Sequence, residues 1–330
     1  MCKEISVLIA SYNRSELLCE TLTNFTKLDL NGLSVEFVII DNNSSDDTCQ
    51  IVDSFKDKLP LRYLFESRAG KNCALNKALN EVELGNLVVF TDDDVKPHSD
   101  WLQRIMDVSN RWPSVSVFGG KIYPIFPEKT VLPDWIEVTF IRKMVLVEHD
   151  WTDQECFYDI STSYPFGPNY WVRKEIFVDG GRRFNEQIGP NPKKRIMGSE
   201  TSFLKRLAET DKFKIFHSPD AIVGHYIEKE SLTQDFLVTR AKTFGRSMPH
   251  LYGIYHNKLY RNSYYLWIIY HIISAGYSYL KLCGSFLTQP ISDSIVNQIL
   301  IYSEIEGKKE SLFIGREKKR DTVLGASNSR

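Results

Sequence analysis

The chain has 330 residues, 42% of them hydrophobic and 25% charged, with a net charge of −1. These values describe a folded soluble protein of one large domain or two modest ones, and the lack of a basic excess argues against a general nucleic-acid binder. Six cysteines (Cys2, Cys19, Cys49, Cys73, Cys156, Cys283) without CxxC spacing argue against zinc-ribbon and thioredoxin-like readings and suit a reducing compartment.

Met1-Cys2-Lys3-Glu4 leads directly into an apolar run. No stretch there is long enough for a signal peptide, so the expected location is cytoplasmic. Ile5 to Ala10 reads as a buried strand. Asn13 then begins a helix, with Glu16 three residues on as its capping partner and Leu18, Leu22 and Phe25 on its inner face. Val35 to Ile40 is a second buried strand, ending in Asp41-Asn42-Asn43-Ser44-Ser45-Asp46-Asp47. An acid after a strand is often only a turn former. In a functional reading Asp41 accepts a hydrogen bond from a nucleobase imino group or a ribose hydroxyl. Leu61 to Phe65 is a third strand.

Arg68-Ala69-Gly70-Lys71 precedes a helix marked by Leu75, Ala78, Leu79 and Val82 at helical spacing. The start of a helix favours anions, and these basic residues could neutralise a diphosphate. The glycine and Ser/Thr that would complete a P-loop are missing. Leu87 to Phe90 is a fourth strand, and it runs into Thr91-Asp92-Asp93-Asp94. Three adjacent acids at the mouth of an apolar strand repel one another unless water, a base or a metal intervenes. Mg²⁺ or Mn²⁺ takes carboxylate oxygens together with substrate phosphates. A solvated turn would account for one acid; three point to the metal. On extended backbone Asp92 and Asp94 share a side, while Asp93 points away or contacts a ribose.

Val115 to Phe118 is a fifth strand. Apolar strands alternating with helices indicate a mostly parallel sheet covered on both faces. Ligands bind beyond the carboxyl ends of such strands, where Ser11, Tyr12, Asn13, Asp41, Asn42 and Asp92 to Asp94 converge. From Tyr123 to Pro168 the chain reads as loops and short strands. Ser199 to Ala208 reads as a helix with Phe203, Leu204 and Leu207 inward, opened by Gly198-Ser199-Glu200-Thr201. An acid there complements the helix dipole or serves as a general base that takes a proton from an acceptor hydroxyl. Phe213 to Phe216 and Ala221 to Val223 are short strands. His225 follows, with a structural role and a metal-ligand role equally weighted.

Beyond Glu230 the character changes. Leu232, Phe236, Leu237 and Phe244 mark an amphipathic helix. Tyr264 to Leu280 contains no Asp, Glu, Lys or Arg, but it falls short of the roughly 20 residues that cross a bilayer and is diluted by His271, Ser274, Gly276 and Ser278. It reads either as part of a helical pair burying Trp267, Ile268, Ile272 and Ile273, or as a peripheral membrane attachment with Arg261, Lys281, Lys308 and Lys309 near lipid. If the segment meets lipid, peripheral attachment is favoured over a true span, because the uncharged stretch is short and diluted by Ser and Gly. Residues 313–330 read as a disordered tail.

Taken together these segments resemble the family 2 glycosyltransferases, inverting enzymes of the GT-A fold. Ser6-Val7-Leu8-Ile9-Ala10-Ser11-Tyr12-Asn13-Arg14 looks like that family's first strand and nucleotide loop, and Asp41 to Thr48 like its second. Arg68 to Asn76 matches the third element. Thr91-Asp92-Asp93-Asp94-Val95, followed by Pro97 and Trp101-Leu102, matches the acidic metal motif. Phe166-Gly167-Pro168-Asn169 through Glu186 resembles the stretch beside the acceptor. Ser199-Glu200, ahead of Arg206-Leu207, stands where the family usually has Glu-Asp; the alignment puts Glu200 at the base position and leaves Ser199 as a departure.

The resemblance covers about residues 4 to 230. It implies an α/β GT-A (Rossmann-like) fold, a mostly parallel sheet flanked by helices, with a helical C-terminal extension. Residues 1–230 are the expected catalytic domain, with a nucleotide-sugar-binding half (1–120) and an acceptor-binding half (121–230); 231–312 is the helical, membrane-associated region. The implied donor is a nucleotide sugar, a UDP-sugar above others, and the acceptor a saccharide or lipid-linked hydroxyl. Ala10, Tyr12, Arg14, Asp41, Arg68, Lys71, Asp92 and Asp93 are its expected ligands. Asp92, Asp94 and His225 are expected to hold Mn²⁺ or Mg²⁺, Asn169 and Trp171 to face the acceptor, and Glu200 to be the base. The expected localisation is cytoplasmic, peripheral at the membrane face. A sugar-phosphate nucleotidyltransferase is the competing enzyme, but Ser11-Tyr12-Asn13-Arg14 lacks the glycines of its loop. A catalytically silent nucleotide-sugar or saccharide-binding module is the competing non-enzyme, and the complete acids count against it.

Overall fold

The structure, a computed structural model, describes residues 3–137, 142–190, 195–252, 305–307 and 309–310. The chain divides into two units, Met1–Thr130 with Arg142–Glu228 and Val131–Ile141 with Lys229–Arg330.

The first unit is built on strands whose residues alternate between two apolar faces. Strand β1 (Ile5–Ser11) lies between β2 (Val35–Asp41) and β4 (Leu87–Thr91), and β3 (Leu61–Phe65) pairs outside β2, all parallel. Ile5, Val7 and Ile9 meet Leu18, Leu22 and Phe25 of helix α1 (Ser15–Phe25) on one face. Leu8, Val38, Ile40, Val88 and Phe90 meet Ala74, Leu75 and Ala78 of α3 (Lys71–Glu81) on the other. A period of two buried on both sides is what a covered parallel sheet demands. The near-continuous β-branched and aromatic runs supply it, each fully buried Leu, Ile or Val side chain contributing about 1.5–3 kcal/mol.

Helix α2 (Thr48–Ser54) joins β2 to β3. After β4 come β5 (Val95–Pro97), α4 (Trp101–Arg111), β6 (Val117–Ile125), β7 (Cys156–Phe157), β8 (Tyr170–Arg173), α5 (Glu175–Val178), α6 (Ser199–Glu209) and β9 (Ile215–Tyr226). The sheet order is β3-β2-β1-β4-β8-β6-β9-β5, with β7 on β9. Its first four strands are parallel, while β8 runs antiparallel between β4 and β6. The chain order reverses direction at β1, the switch point where ligands of such sheets bind. Ser11, Asp41 and Phe65 end their strands at one level.

Several boundaries differ from the sequence reading. Helix α1 begins at Ser15, and Asn13 has a left-handed φ of 51°. Glu16 makes no cap. The amide of Ser15 instead donates to Asp46 Oδ2 at 2.8 Å, and Asn13 Oδ1 accepts from Ser45 N at 2.7 Å. The cap comes from the neighbouring loop, out of reach of a local pattern. The two short strands expected near residues 213–223 are one strand, β9, which passes an irregularity opposite Gly120 and Lys121.

In the second unit α7 (Gln234–Tyr252) buries Leu237 and Ala241, and His250 Nε2 lies 2.9 Å from Glu310 Oε1. Among the described residues no helix is long and apolar enough to cross a membrane. The expectations for Tyr264 to Leu280, for Arg261, Lys281 and Lys308, and for the tail lie outside the described residues.

Candidate functional site

At the end of β1, Ser11 Oγ donates to Asp93 Oδ2 at 2.7 Å. Arg14, at the start of α1, spreads its guanidinium over three acids. It donates to Asp93 Oδ1 and Asp94 Oδ2, each at 2.8 Å, and to Glu228 Oε1 at 2.5 Å. Burial opposes the Arg14 charge, but the charges of Asp93 and Asp94 outweigh it and raise the pKa further. Arg14 was expected on the donor; its fork is instead taken up by the acidic run.

Asp93 and Asp94 are both buried. Burial pushes the Asp93 carboxyl up to about 6, against the pull of Arg14. At Asp94 burial also acts upward, but His225 and Arg14 outweigh it and hold the carboxyl well below the usual range. His225 Nε2 lies 3.4 Å from Asp94 Oδ2, and His225 Nδ1 donates to Leu146 O at 3.1 Å. Leu146 closes a π-helical turn, Arg142–Leu146. Asp94 Oδ1 is buried and has no hydrogen-bond partner among the described residues.

Asp92 has a different environment. Strand β4 ends at Thr91, so the alternation that would put Asp92 and Asp94 on one side does not continue through the acids. Asp92 Oδ1 accepts from Lys71 Nζ, while Asp93 and Asp94 share Arg14. Burial lowers the Lys71 pKa, but Asp92 and Glu200 together raise it. Opposite stands Glu200 on the first turn of α6. A Cβ built on Gly167 would lie 3.5 Å from Asp92 Oδ2 and 3.7 Å from Glu200 Oε1. The two carboxylates thus flank a space that the glycine leaves open. A small pocket reaches in from that space, lined by Lys71, Thr91, Tyr170 and Glu200 among others.

Further along the strand ends, Asp41 Oδ1 accepts from Ser44 N at 2.8 Å and Oδ2 from Tyr63 OH at 2.7 Å. Asn42 staples the next loop, accepting from Gly70 N at 2.7 Å and donating to Arg68 O at 2.7 Å. Gly70, at φ 133°, turns the chain into α3. Arg68 is paired with Glu66 and Glu186. Tyr12 is exposed beyond β1, and Ala10 is half-buried.

The two residues expected on the acceptor side are fully buried. Asn169 is fully buried; its amide donates to Lys121 O at 2.9 Å and Ala221 O at 2.7 Å, and it accepts from Trp101 Nε1 at 3.0 Å. Trp171 is fully buried, stacked on Phe118, with Nε1 donating to Ser109 Oγ at 3.0 Å. Both cross-link the core. The segment borders the open space through Gly167.

Three residues not singled out from the sequence also stand here. Tyr170 lines the pocket, its ring stacked on Phe90 at 4.8 Å. Arg195 is close enough to Glu200, Asp92 and Arg14 to feel their charges, although burial acts first to lower its pKa. Asn72, buried next to Lys71, bonds to Ser199. Only the last had a legible cue, since it follows the Gly70-Lys71 helix start.

Divalent cations of the Mg²⁺ or Mn²⁺ type need hard oxygen donors and accept a small protein share of the shell. Among the described residues no cluster of three or more His, Cys, Asp or Glu side chains could hold an ion. Asp94, with one buried and unpartnered oxygen on a carboxyl held ionised, and His225 beside it fit a shell of two protein ligands completed by phosphate oxygens and water.

The sequence profile described as "Glycosyl transferase family 2" matches residues 6–179. Poly(ribitol-phosphate) beta-N-acetylglucosaminyltransferase TarS of Staphylococcus aureus is 33% identical over 93 residues, 28% of this chain and 16% of that protein. Glycosyltransferase AglE of Haloferax volcanii is 24% identical over 226 residues, 67% of this chain and 66% of that protein. The chain thus spans less than two thirds of the length of either relative. Among solved structures, mannosyltransferase PcManGT from Pyrobaculum calidifontis, in complex with GDP-Man and Mn²⁺, superposes with a TM-score of 0.58 at 17% identity, covering 94% of this chain and 88% of that one. S. aureus TarS 1-349 in complex with UDP-GlcNAc gives a TM-score of 0.54 at 14% identity, covering 96% and 92%. The sheet and its flanking helices have the GT-A fold of these neighbours.

Proposed function

Because the chain belongs to glycosyl transferase family 2, we propose that it transfers a sugar from a nucleotide-sugar donor, a UDP-sugar, to a hydroxyl of a saccharide or lipid-linked acceptor, with inversion. The observation that carries this reading is the pair of carboxylates, Asp92 and Glu200, on either side of the space at Gly167. A donor lying along the strand ends brings its anomeric carbon to that space, with Asp92 toward the donor and Glu200 toward the acceptor.

Asp41, presented by β2 and braced by Tyr63, accepts from the nucleoside; Ala10 and Tyr12 border the same strand ends. Lys71 neutralises negative charge beside Asp92. Asp94 and His225 would hold Mn²⁺ or Mg²⁺, which supplies positive charge against the leaving diphosphate. Arg14 is the counter-cation that lets Asp93 and Asp94 stand buried side by side. Glu200 takes the proton of the acceptor hydroxyl as that oxygen attacks the anomeric carbon from the face opposite the diphosphate. The bond from that carbon to the diphosphate breaks, and UDP leaves. A positioned general base contributes about 10²–10⁴-fold.

TarS is solved in complex with UDP-GlcNAc and is named for transfer to poly(ribitol-phosphate); the GalNAc(5)-diNAcBac-PP-undecaprenol glucosyltransferase of Campylobacter jejuni is named for a lipid-linked acceptor. Both support a polymeric or lipid-linked acceptor for this chain. The test is nucleotide release from UDP-GlcNAc, UDP-Glc, UDP-Gal, UDP-GalNAc and GDP-Man, with Mn²⁺ and with EDTA, with and without saccharide acceptors. Release from a UDP-sugar that EDTA abolishes is expected. Metal-dependent UDP binding without release under any condition would make the chain a silent binding module.

A further inference from the structure

The residue before the base, Ser199, departs from the acidic pair of the family, and the structure gives that departure a partner. Ser199 is buried, and its Oγ donates to Asn72 Oδ1. The orientation of the Asn72 amide is not free. Its Nδ2 donates to Asn185 O at 2.8 Å and to Ile188 O at 2.7 Å, so both amide protons are committed to backbone carbonyls. Oδ1 must therefore face Ser199, and it can only accept there. A carboxylate at position 199 would set one acceptor against another in a buried site, a cost that neither group could relieve. A hydroxyl is the side chain that fits.

The junction is also close-packed. Gly189 approaches both partners at φ 117°; a Cβ on it would lie 3.5 Å from Ser199 Cβ and 3.6 Å from Asn72 Cγ. Its amide donates to Ile196 O at 2.7 Å, which ties the preceding loop to the start of α6. Gly198, left-handed at φ 92°, delivers the chain into that helix without a side-chain cap of its own. The Asn72–Ser199 bond therefore anchors the first turn of α6 to the first turn of α3. Glu200 projects from the anchored turn, and Lys71, the partner of Asp92, projects from the other.

We propose that Asn72 is a positioning residue for Glu200, acting through Ser199, and that the two residues replace the first acid of the family's pair. The bond fixes where the first turn of α6 lies relative to Lys71 and Asp92, and so sets the reach of the Glu200 carboxylate across the space at Gly167. The proposal rests on Glu200 being the base.

The test compares Ser199→Ala, Ser199→Thr, Asn72→Ala and the Asn72→Ala/Ser199→Ala double variant in the full chain. The readouts are UDP release from the donor that turns over best in the panel, UDP affinity with Mn²⁺, and amide hydrogen exchange. Ser199→Ala is expected to lose about 10–100-fold in kcat, as a displaced reacting group does, with UDP affinity within about twofold. Ser199→Thr, which keeps the hydroxyl, is expected to retain turnover. The double variant is expected to lose no more than Asn72→Ala alone, because coupled residues do not add. In Ser199→Ala the amides of residues 202–206, the first protected ones of α6, should exchange faster while those of β1 and β4 do not, a readout that needs no turnover. Unchanged kcat in Ser199→Ala, or unchanged exchange at 202–206, overturns the proposal. Glu200→Gln keeps the two readings apart: normal turnover in Glu200→Gln sinks the base assignment, whereas a silent Glu200→Gln beside a normal Ser199→Ala sinks only the positioning role.

Discussion

A buried polar chain through His149, Tyr158 and His217 makes stability depend on pH. His149 Nε2 lies 2.7 Å from Tyr158 OH, which lies 3.1 Å from His217 Nδ1, and His217 Nε2 lies 2.9 Å from Thr152 O. Thr152 O can only accept, so His217 Nε2 carries a proton. A neutral His217 ring then accepts at Nδ1 from Tyr158, and Tyr158 accepts from His149 Nε2. Burial, followed by the neighbouring His217, pushes His149 down to about 3. The unfolded chain binds that proton at an ordinary pKa near 6.5. Between those values the unfolded state binds more protons than the folded one, so stability is full above about pH 6.5 and falls as the pH drops. Each pH unit in that window removes about 1.4 kcal/mol for His149 alone. From pH 6.5 to 5 this is about 2 kcal/mol out of a typical 5–15. Urea unfolding at pH 7.5, 6, 5.5 and 5 measures the slope. His149→Phe, which keeps an aromatic ring against Phe166, should flatten it by close to one proton. Equal slopes in the wild type and His149→Phe would refute the reasoning. Tyr158→Phe leaves one ring N–H and one ring nitrogen without partners, at about 1–3 kcal/mol each, and should lower the urea midpoint at every pH.

Three further outcomes follow from the site. Arg14→Ala leaves Asp93 without a cationic partner and Asp94 with His225 alone, and breaking a buried pair costs about 3–5 kcal/mol; urea melts should show it, and a loss under about 1 kcal/mol contradicts the role given to Arg14. Asp94→Asn removes the ionised oxygen beside His225, so calorimetry should find UDP binding no longer strengthened by Mn²⁺, whereas an intact Mn²⁺ effect would place the ion elsewhere. Gly167→Leu fills the space between Asp92 and Glu200 and should cut UDP release by more than about tenfold with UDP affinity retained; Gly167→Ala, whose Cβ makes only ordinary contacts, should not.

The parallel half of the sheet was legible because its strands are buried on both faces, and such strands carry continuous apolar runs: Ile5 to Ala10, Val35 to Ile40 and Leu87 to Phe90 fall within β1, β2 and β4. Helix α4 was not assigned from the sequence, although Trp101, Leu102, Ile105 and Val108 line one face of it at helical spacing. The start of α1 was not legible, since its cap, Asp46, lies 31 residues on and arrives through the fold. Strand alternation could not sort Asp92 from Asp93 and Asp94, because the strand ends one residue earlier and the partners, Lys71, Arg14 and His225, come from three distant segments. Asn169 and Trp171 sit within a stretch that does border the open space, but a motif cannot tell a side chain that lines a site from one that locks the strand behind it. Ser199 is a departure from the family's pair in the sequence, and its partner, Asn72, lies 127 residues away and meets it only through the fold.

The central claim is that Glu200 removes the acceptor proton across from Asp92. Glu200→Gln preserves size and the first turn of α6 while removing the base, so UDP release with donor, Mn²⁺ and acceptor should fall by about 10²–10⁴-fold, with UDP affinity unchanged by calorimetry. Glu200→Gln turning over at the wild-type rate would contradict the account.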